Sequence, residues 1–166
     1  MTAVSITKFK QPKWQAIAVF TLAFWLSSSL ILDLVIMPGM YAGGMMTQSS
    51  FASAGYSIFW VFNRIELLCA ALVLTGVLVL YNVQADSSRN RRLTLILSGL
   101  LLAIALAYTY ALAPTMSTLG LQLNLFEPAA AIPAAMDQMH WGYWTLELTK
   151  LAAAGTLLTS LYRNPA

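Results

Sequence analysis

The stretch that decides the fold runs from Tyr56 to Tyr81 and reads YSIFWVFNRIELLCAALVLTGVLVLY. Its only charged residues are Arg64 and Glu66, and it contains no proline. A hydrocarbon core about 30 Å thick requires roughly 20 mainly apolar residues in a helix that rises about 1.5 Å per residue. The stretch exceeds that length, so it predicts a transmembrane helix.

Three further stretches on either side have the same character, at about 14–37, 93–113 and 139–161. The stretch at 14–37 is expected to stop at Pro38-Gly39, and the stretch at 93–113 is expected to stop at Pro114. Lipid leaves backbone polar groups unsatisfied unless the segment is helical or part of a closed barrel. The sequence therefore predicts an all-α integral membrane protein, a four-helix antiparallel bundle that forms one membrane domain over residues 1–166.

The composition agrees with lipid as the solvent. Hydrophobic residues make up 59% of the chain, charged residues make up 9%, and the mean hydropathy is +0.71. A soluble domain usually has roughly a quarter of its residues charged. The nine basic residues form no stripe and match no nucleic-acid motif, so nucleic acid is not an expected partner. Cys69 is the single cysteine, which excludes a disulfide within the chain.

The basic residues predict the orientation, because lysine and arginine concentrate in cytoplasmic loops. The loops 38–55 and 114–138 contain neither residue. Both termini are therefore predicted to be cytoplasmic, in a bacterial inner membrane or an equivalent internal membrane. The first span is longer than the apolar region of a cleaved signal peptide, so it is expected to be retained. The basic residues that decide the orientation are Lys8, Lys10, Lys13, Arg89, Arg91, Arg92 and Arg163.

Polar residues inside the spans are the first candidates for function, because burying them in lipid costs several kcal/mol unless they are paired or hydrated. Counted from the inner ends of the helices, their depths fall at roughly 21–31 Å for all but Lys150. Three helix faces are expected to point inward: that of Asp33 with Ser29 one turn before it, that of Asn63 and Glu66, and that of His140, Trp144, Glu147 and Lys150. We call the candidates the predicted polar layer: Asp33, Asn63, Arg64, Glu66, His140, Glu147 and Lys150.

Two interpretations of this layer stay open from the sequence. In the structural one, Arg64 neutralises Glu66 or Glu147, Lys150 neutralises the other glutamate, and the charges only set helix register. In the functional one, the layer lines an outward-facing cavity that binds or conducts a proton, a small cation or a polar solute. The formal charges sum to −1 with histidine neutral, which favours a cationic guest.

A second candidate site is rich in methionine at the outer helix ends. Thioether sulfur and imidazole nitrogen are ligands that suit Cu(I) and similar soft ions. The alternative is that these flexible apolar side chains only cover the bundle. The soft-metal candidates are Met37, Met40, Met136, Met139 and His140. No cofactor is predicted. Haem is not expected because it usually takes two axial ligands and His140 is the only histidine. No catalytic motif is present, so the chain is not expected to be an enzyme.

Small residues follow one face of the third span at every fourth position, namely Gly99, Ala103, Ala107 and Ala111. Such a stripe lets another helix approach closely in lipid. It supports the alternative function, a non-catalytic accessory or assembly subunit of a larger membrane complex. The lipid bilayer is an expected partner, and further copies of the chain in a homo-oligomer are another.

The first span reads Trp25…Asp33…Pro38, the second contains Phe62-Asn63-Arg64-Ile65-Glu66, and the fourth starts at His140. In helix count, order and spacing, nearly the whole chain resembles the four-helix membrane family of unknown function that includes transmembrane protein 205-like proteins. The resemblance implies a multi-pass bundle without established catalytic activity and raises the expectation of a role in tolerance of metal compounds. The positions it carries over are Asp33, Asn63, Glu66 and His140. The layout is also distantly similar to copper-resistance membrane proteins, which have several histidines where this chain has one.

Overall fold

The structure, a computed structural model, describes residues 12–44, 51–83, 89–118 and 134–163, which form four long helices. Helix α1 starts as Pro12–Ile31, passes through a π-helical turn at Leu32–Ile36 and continues as Met37–Ala42. Helix α2 is Phe51–Val83. Helix α3 comprises Arg89–Ala107, a π-helical turn at Tyr108–Leu112 and residues 113–118. Helix α4 is Ala134–Arg163. These residues contain no strand, which confirms the all-helical class.

The expected helix ends at Pro38 and Pro114 are wrong, because both helices continue past their prolines. Proline has no N–H to donate, and inside an α-helix its ring clashes with the carbonyl of the fourth residue before it. In each case a wider π turn ends two residues before the proline. The Met37 N–H then bonds to the Leu32 carbonyl oxygen, and the Ala113 N–H bonds to that of Tyr108. The wide turns let α1 and α3 accommodate proline without ending.

The four helices form a closed ring in chain order. Helix α1 packs on α2 and on α4, and α3 packs on the same two helices from the other side. The Gln15 side chain donates a hydrogen bond to the backbone oxygen of Leu161, which places the start of α1 beside the end of α4. The start of α1 also lies beside the last third of α2, where the Trp14 carbonyl faces Gly76. Neighbouring helices are therefore antiparallel, as predicted.

The half of the bundle that contains the start of α1 has an apolar core. Gly76 lets α1 and α2 approach closely there, since a Cβ atom on it would lie 3.2 Å from the Ala18 Cβ. The buried residues Asp33, Asn63, Glu66 and Glu147 lie toward the other end, which contains the π turns, whereas the buried hydroxyl residues Thr21 and Ser98 lie within the apolar half. The core residues include Ala18, Leu22, Ala70, Val73, Val77, Leu101, Ala105, Ala154 and Leu157.

Three of the helices are long and apolar enough to cross a membrane: Lys13–Ala42, Ser53–Asn82 and Arg92–Thr118. The sequence predicted four spans, and α4 is not in this group. Glu147, Lys150 and several threonines lower its hydropathy. Both charged residues are buried inside the bundle, whereas Leu148 beside them is 64% exposed. Helix α4 therefore directs Glu147 and Lys150 inward and part of its apolar surface outward.

Candidate functional site

The centre of the candidate site is an ion-paired trio that joins α2 to α4. Lys150 is 2% exposed, and its Nζ contacts Glu66 Oε1 and lies 2.7 Å from Glu147 Oε2. Glu147 and Lys150 are three residues apart, so they lie on the same face of α4. Glu66 reaches them from α2. One buried ammonium group is therefore shared between two buried carboxyl groups.

Glu66 receives two further donors, both from α1. The indole N–H of Trp25 donates to Glu66 Oε1 over 2.8 Å, and the Ser29 hydroxyl donates to the same oxygen over 3.2 Å. Trp25 and Ser29 are one helical turn apart and face the same way. With Lys150, three donors converge on one carboxylate oxygen. One oxygen of Glu66 is therefore surrounded by donors from both α1 and α4.

Glu147 is held differently. The Tyr108 hydroxyl lies 3.1 Å from Glu147 Oε2, the oxygen that also contacts Lys150, and 3.3 Å from the Tyr143 carbonyl oxygen. The Lys150 Nζ lies 5.3 Å from the centre of the Tyr108 ring, within range of a cation–π contact. Within the described part of the chain, Glu147 Oε1 is buried and has no hydrogen-bond partner. The two glutamates therefore have unequal surroundings.

A second acidic contact lies next to this trio. The Tyr143 hydroxyl donates to Asp33 Oδ1 over 2.7 Å, which joins α4 to α1. The Tyr143 ring packs against Tyr108 with the ring centres 5.4 Å apart, and its edge meets Phe59 at 6.0 Å. Asp33 and Tyr108 each lie at the start of a π turn. Both wide turns therefore contribute a side chain to the same region.

Asn63 borders this region from α2. Its side-chain amide donates to the Tyr108 carbonyl oxygen over 3.5 Å, and the Thr109 hydroxyl donates to the Asn63 carbonyl oxygen over 3.4 Å. These bonds connect α2 to the π turn of α3. The predicted inward orientation of Asn63 and Glu66 is confirmed, since both are buried. Asp33 and Ser29 are buried as well, as predicted.

The charges of the assembled site do not balance. We call the following group the buried cluster: Asp33, Glu66, Tyr108, Tyr143, Glu147 and Lys150. It contains three carboxyl groups and one ammonium group, so its net charge is −2 when all four are ionised. Uncompensated charge is costly at low dielectric. A bound proton or cation lowers that cost.

Arg64 is not part of the cluster, so its expected pairing with a glutamate is wrong. The Arg64 side chain is exposed on the outside of α2, with its guanidinium carbon 3.6 Å from the centre of the Trp60 ring. Its Nη1 donates to the Trp60 carbonyl oxygen over 3.3 Å. Among the described residues Arg64 forms no ion pair. Lys150 alone contacts both glutamates because it lies on the inward face of α4.

His140 and Trp144 do not share the inward face either, which corrects the predicted face of α4. Both are exposed, whereas Glu147 and Lys150 are buried. Tyr143 is the residue that continues the inward face one turn beyond Glu147. Residues three and four positions away both lie near Glu147 on a helix, so spacing did not separate Trp144 from Tyr143.

The soft-metal candidates lie near the end of α1 and the start of α4. Met37, Met40 and Met139 are half-buried and His140 is exposed, while the side chain of Met136 lies outside the described residues. In the described part of the chain, no three His, Cys, Asp or Glu side chains form a group that could hold a metal ion. That finding does not concern methionine sulfur, so the soft-metal site stays a prediction.

Three aromatic residues of the site were missed by the sequence reasoning: Trp25, Tyr108 and Tyr143. Tyr108 is 2% exposed and hydrogen bonded within the bundle. A signal for Tyr143 is present in the sequence. Steps of four and three residues lead back from Leu161 through Leu157, Ala154, Lys150 and Glu147 to Tyr143, the spacing of one packed helix face.

The chain matches no family model, no curated protein and no solved structure. The resemblance to the four-helix membrane family therefore stays a prediction. The class that the fold and site define is a four-helix bundle with three apolar helices of membrane-spanning length and a buried cluster rich in carboxyl groups.

Proposed function

We propose that the protein is embedded in a membrane through all four helices. The support comes from large apolar side chains on the outer surface of the bundle, such as Phe20 at 76%, Leu68 at 66% and Ile96 at 66% exposure. Soluble monomers rarely expose contiguous apolar surface on this scale, whereas lipid accommodates it. Helix α4 completes the ring and is bordered by the same kind of surface at Leu148.

The termini are proposed to be cytoplasmic. Lys13, Arg92 and Arg163 are exposed near the same end of the bundle, at the start of α1, the start of α3 and the end of α4. Basic residues at cytoplasmic helix ends follow the positive-inside rule. Single cysteines placed at Lys13 and at Thr118 in a Cys69→Ser background test this topology in intact cells. The proposal predicts that a membrane-impermeant thiol reagent labels only position 118.

Within that membrane protein, we infer that the buried cluster binds or conducts protons or a small cation. One observation supports this most directly: two buried carboxyl groups share a single buried ammonium group, and a third buried carboxyl group, that of Asp33, lies next to them on the Tyr143 hydroxyl. Carboxylate oxygens are the protein groups that accept protons and hard cations. Ionisable residues at membrane depth commonly lie on ion or proton pathways. Arg64, the basic residue of the second span, is outside the cluster and does not neutralise it.

Purified protein in liposomes tests this function. Proton flux is followed with an entrapped pH-sensitive dye, and Na⁺ or K⁺ flux is driven by a gradient of each ion. The charge-free variant E66Q/E147Q/K150M removes the trio together, so that no unpaired charge remains buried. R64Q is the matched control, because it removes a charge outside the cluster. Wild type and R64Q are expected to show flux that the charge-free variant loses; wild-type flux equal to that of empty liposomes rejects the function.

A second function, an accessory subunit of a larger membrane complex, is favoured by one observation. Ala103 and Ala111 are exposed and Gly99 and Ala107 are half-buried, so the small-residue stripe of α3 lies at the bundle surface. A second helix in lipid packs well on such a stripe. Gentle solubilisation followed by native mass spectrometry tests this. Co-purification of larger subunits that is lost in A103L/A107L supports the accessory role, and recovery of the protein alone opposes it.

A further inference from the structure

The two glutamates that share Lys150 differ in how many donors they receive. Glu66 Oε1 accepts from Trp25, Ser29 and Lys150. Glu147 Oε2 contacts Lys150 and Tyr108, and its other oxygen, Oε1, is buried with no hydrogen-bond partner among the described residues. A buried oxygen without a partner is costly when it carries part of a negative charge. The cost falls on Glu147 and not on Glu66.

We propose that Glu147 carries the exchangeable proton of the buried cluster, on Oε1, while Glu66 stays ionised and keeps Lys150 charged. This inference rests on the proposed function and names the proton as its ligand. With the proton on Oε1, Glu147 is neutral, and Oε2 still accepts from Lys150 and Tyr108. When the proton transfers to a water molecule, the carboxylate that remains is held by the same two donors. Both protonation states therefore use one geometry.

The local charge balance favours the same assignment. Lys150 neutralises one carboxylate, and Glu66 is the better match because three donors stabilise its charge on one oxygen. A second ionised carboxylate in the trio leaves it with a net charge of −1 in a buried environment. Protonation of Glu147 makes the trio neutral. The titratable and charged groups around Glu147 are Asp33 from α1, Glu66 from α2, Tyr108 from α3, and Tyr143 and Lys150 from α4.

Infrared difference spectroscopy of the protein in lipid nanodiscs tests the assignment directly, because a protonated carboxyl group absorbs apart from a carboxylate. Wild-type protein taken from low to high pH is expected to lose one such band. The band is expected to be absent in E147Q and present in D33N; in E66Q, where Glu147 is the remaining carboxyl partner of Lys150, the band is expected to be lost at a lower pH than in wild type. A band that disappears in E66Q or D33N and persists in E147Q overturns the proposal.

Thermal unfolding of the same samples provides a second, independent readout. Glutamine resembles a protonated glutamate in shape, so E147Q is expected to keep its Tm within about 2 °C of wild type. E66Q removes the charge that Lys150 needs and is expected to lower the Tm by roughly 10 °C. Equal losses for the two variants contradict the assignment. So does a wild-type Tm that rises with Na⁺ or K⁺ at fixed pH in a sample without the band, since that result identifies a metal cation as the ligand.

The liposome assay separates this proposal from the proposed function. Flux in wild type together with a band assigned to Glu66 overturns the inference about Glu147 and leaves the function in place. The expected band pattern without any flux supports the proton on Glu147 and rejects conduction.

Discussion

Lys150 and Arg64 are both cations in long helices of the bundle, and their surroundings are opposite. Lys150 is enclosed, with two carboxyl groups within contact distance and the Tyr108 ring beside it. Arg64 is exposed on the outer surface of α2, where it stacks on Trp60 and bonds to that residue's own carbonyl oxygen. The first cation connects three elements of the site. The second bonds, among the described residues, to the helix turn before it.

This difference shows which feature of a charged residue in a span points to function. Position along the helix does not explain this difference, because Arg64 lies only two residues from Glu66, which Lys150 contacts. The partners do. A guanidinium on an aromatic ring at the bundle surface suits a side chain that extends toward the lipid headgroups. The Lys150 ammonium group is buried and cannot reach water, so the neighbouring carboxylates must stabilise its charge.

The largest expected effect comes from removing Lys150. The K150M variant leaves Glu66 and Glu147 buried without their shared cation, and breaking a buried ion pair in this way costs about 3–5 kcal/mol. Thermal unfolding in detergent and abundance in the membrane are expected to drop together. The triple variant E66Q/E147Q/K150M serves as the control, and recovery of most of the lost stability is expected. A K150M protein as stable as wild type contradicts the enclosed arrangement.

The next largest effect is expected from the hydrogen bond that Trp25 of α1 donates to Glu66. W25F keeps the aromatic packing and removes the indole N–H that lies 2.8 Å from Glu66 Oε1. Because the acceptor is charged, the loss is expected to be about 1.5–3 kcal/mol in the free energy of unfolding. W141F makes the same change at a residue that is 71% exposed and is expected to have little effect. Equal effects of the two changes argue against a special role for Trp25.

A smaller loss is expected for Y143F. It removes the hydroxyl that donates to Asp33 over 2.7 Å but keeps the ring contacts with Tyr108 and Phe59. Tyr143 is only half-buried, so water can replace part of the bond, and about 1 kcal/mol is expected. Y110F makes the same change at a tyrosine of α3 that is 71% exposed, and it is the matched comparison. Chemical denaturation in mild detergent measures both.

Arg64 is expected to give the smallest effect of the series. R64Q removes a cation–π contact at an exposed position, which is usually worth about 0.5–1 kcal/mol. Its flux in liposomes is expected to equal that of wild type, since no member of the buried cluster loses a partner. A loss of flux in R64Q comparable with that of the charge-free variant removes the distinction between the two cations.

Much of the fold follows from the sequence because helix length and apolar content are local properties. The spans at 56–81 and 93–113 fall inside α2 and α3, and each observed helix extends beyond its predicted limits. The continuation through Pro38 and Pro114 does not follow in the same way. It depends on π turns, which are local departures from helical geometry that hydropathy does not reveal. The fourth helix was predicted, although it is less apolar than the others because it carries two of the trio's charged residues, Glu147 and Lys150.

The site was predictable where burial alone decides. Asp33, Asn63, Glu66, Glu147 and Lys150 are polar within apolar helices, and all five are buried. Arg64 and His140 are polar as well, but their side chains lie on outward faces of α2 and α4. Which face of a helix points inward depends on how it packs against the neighbouring helices. The aromatic donors Trp25, Tyr108 and Tyr143 were harder still. Tryptophan and tyrosine are also common at membrane interfaces, so their residue type does not indicate a buried hydrogen bond.

The two π turns have a consequence for how the chain tolerates length changes. A π turn contains one more residue than an α-helical path of the same rise, so α1 and α3 each hold a spare residue at Leu32–Ile36 and Tyr108–Leu112. Deleting Leu34 or Tyr110 can convert the wide turn to a regular α-helical turn, and the part of each helix before the π turn then keeps its position. The same deletion in the middle of α2 rotates everything beyond it by about 100°. The protein is therefore expected to fold with a single-residue deletion in the π turn of α1 or α3, and to lose stability with a deletion in the middle of α2.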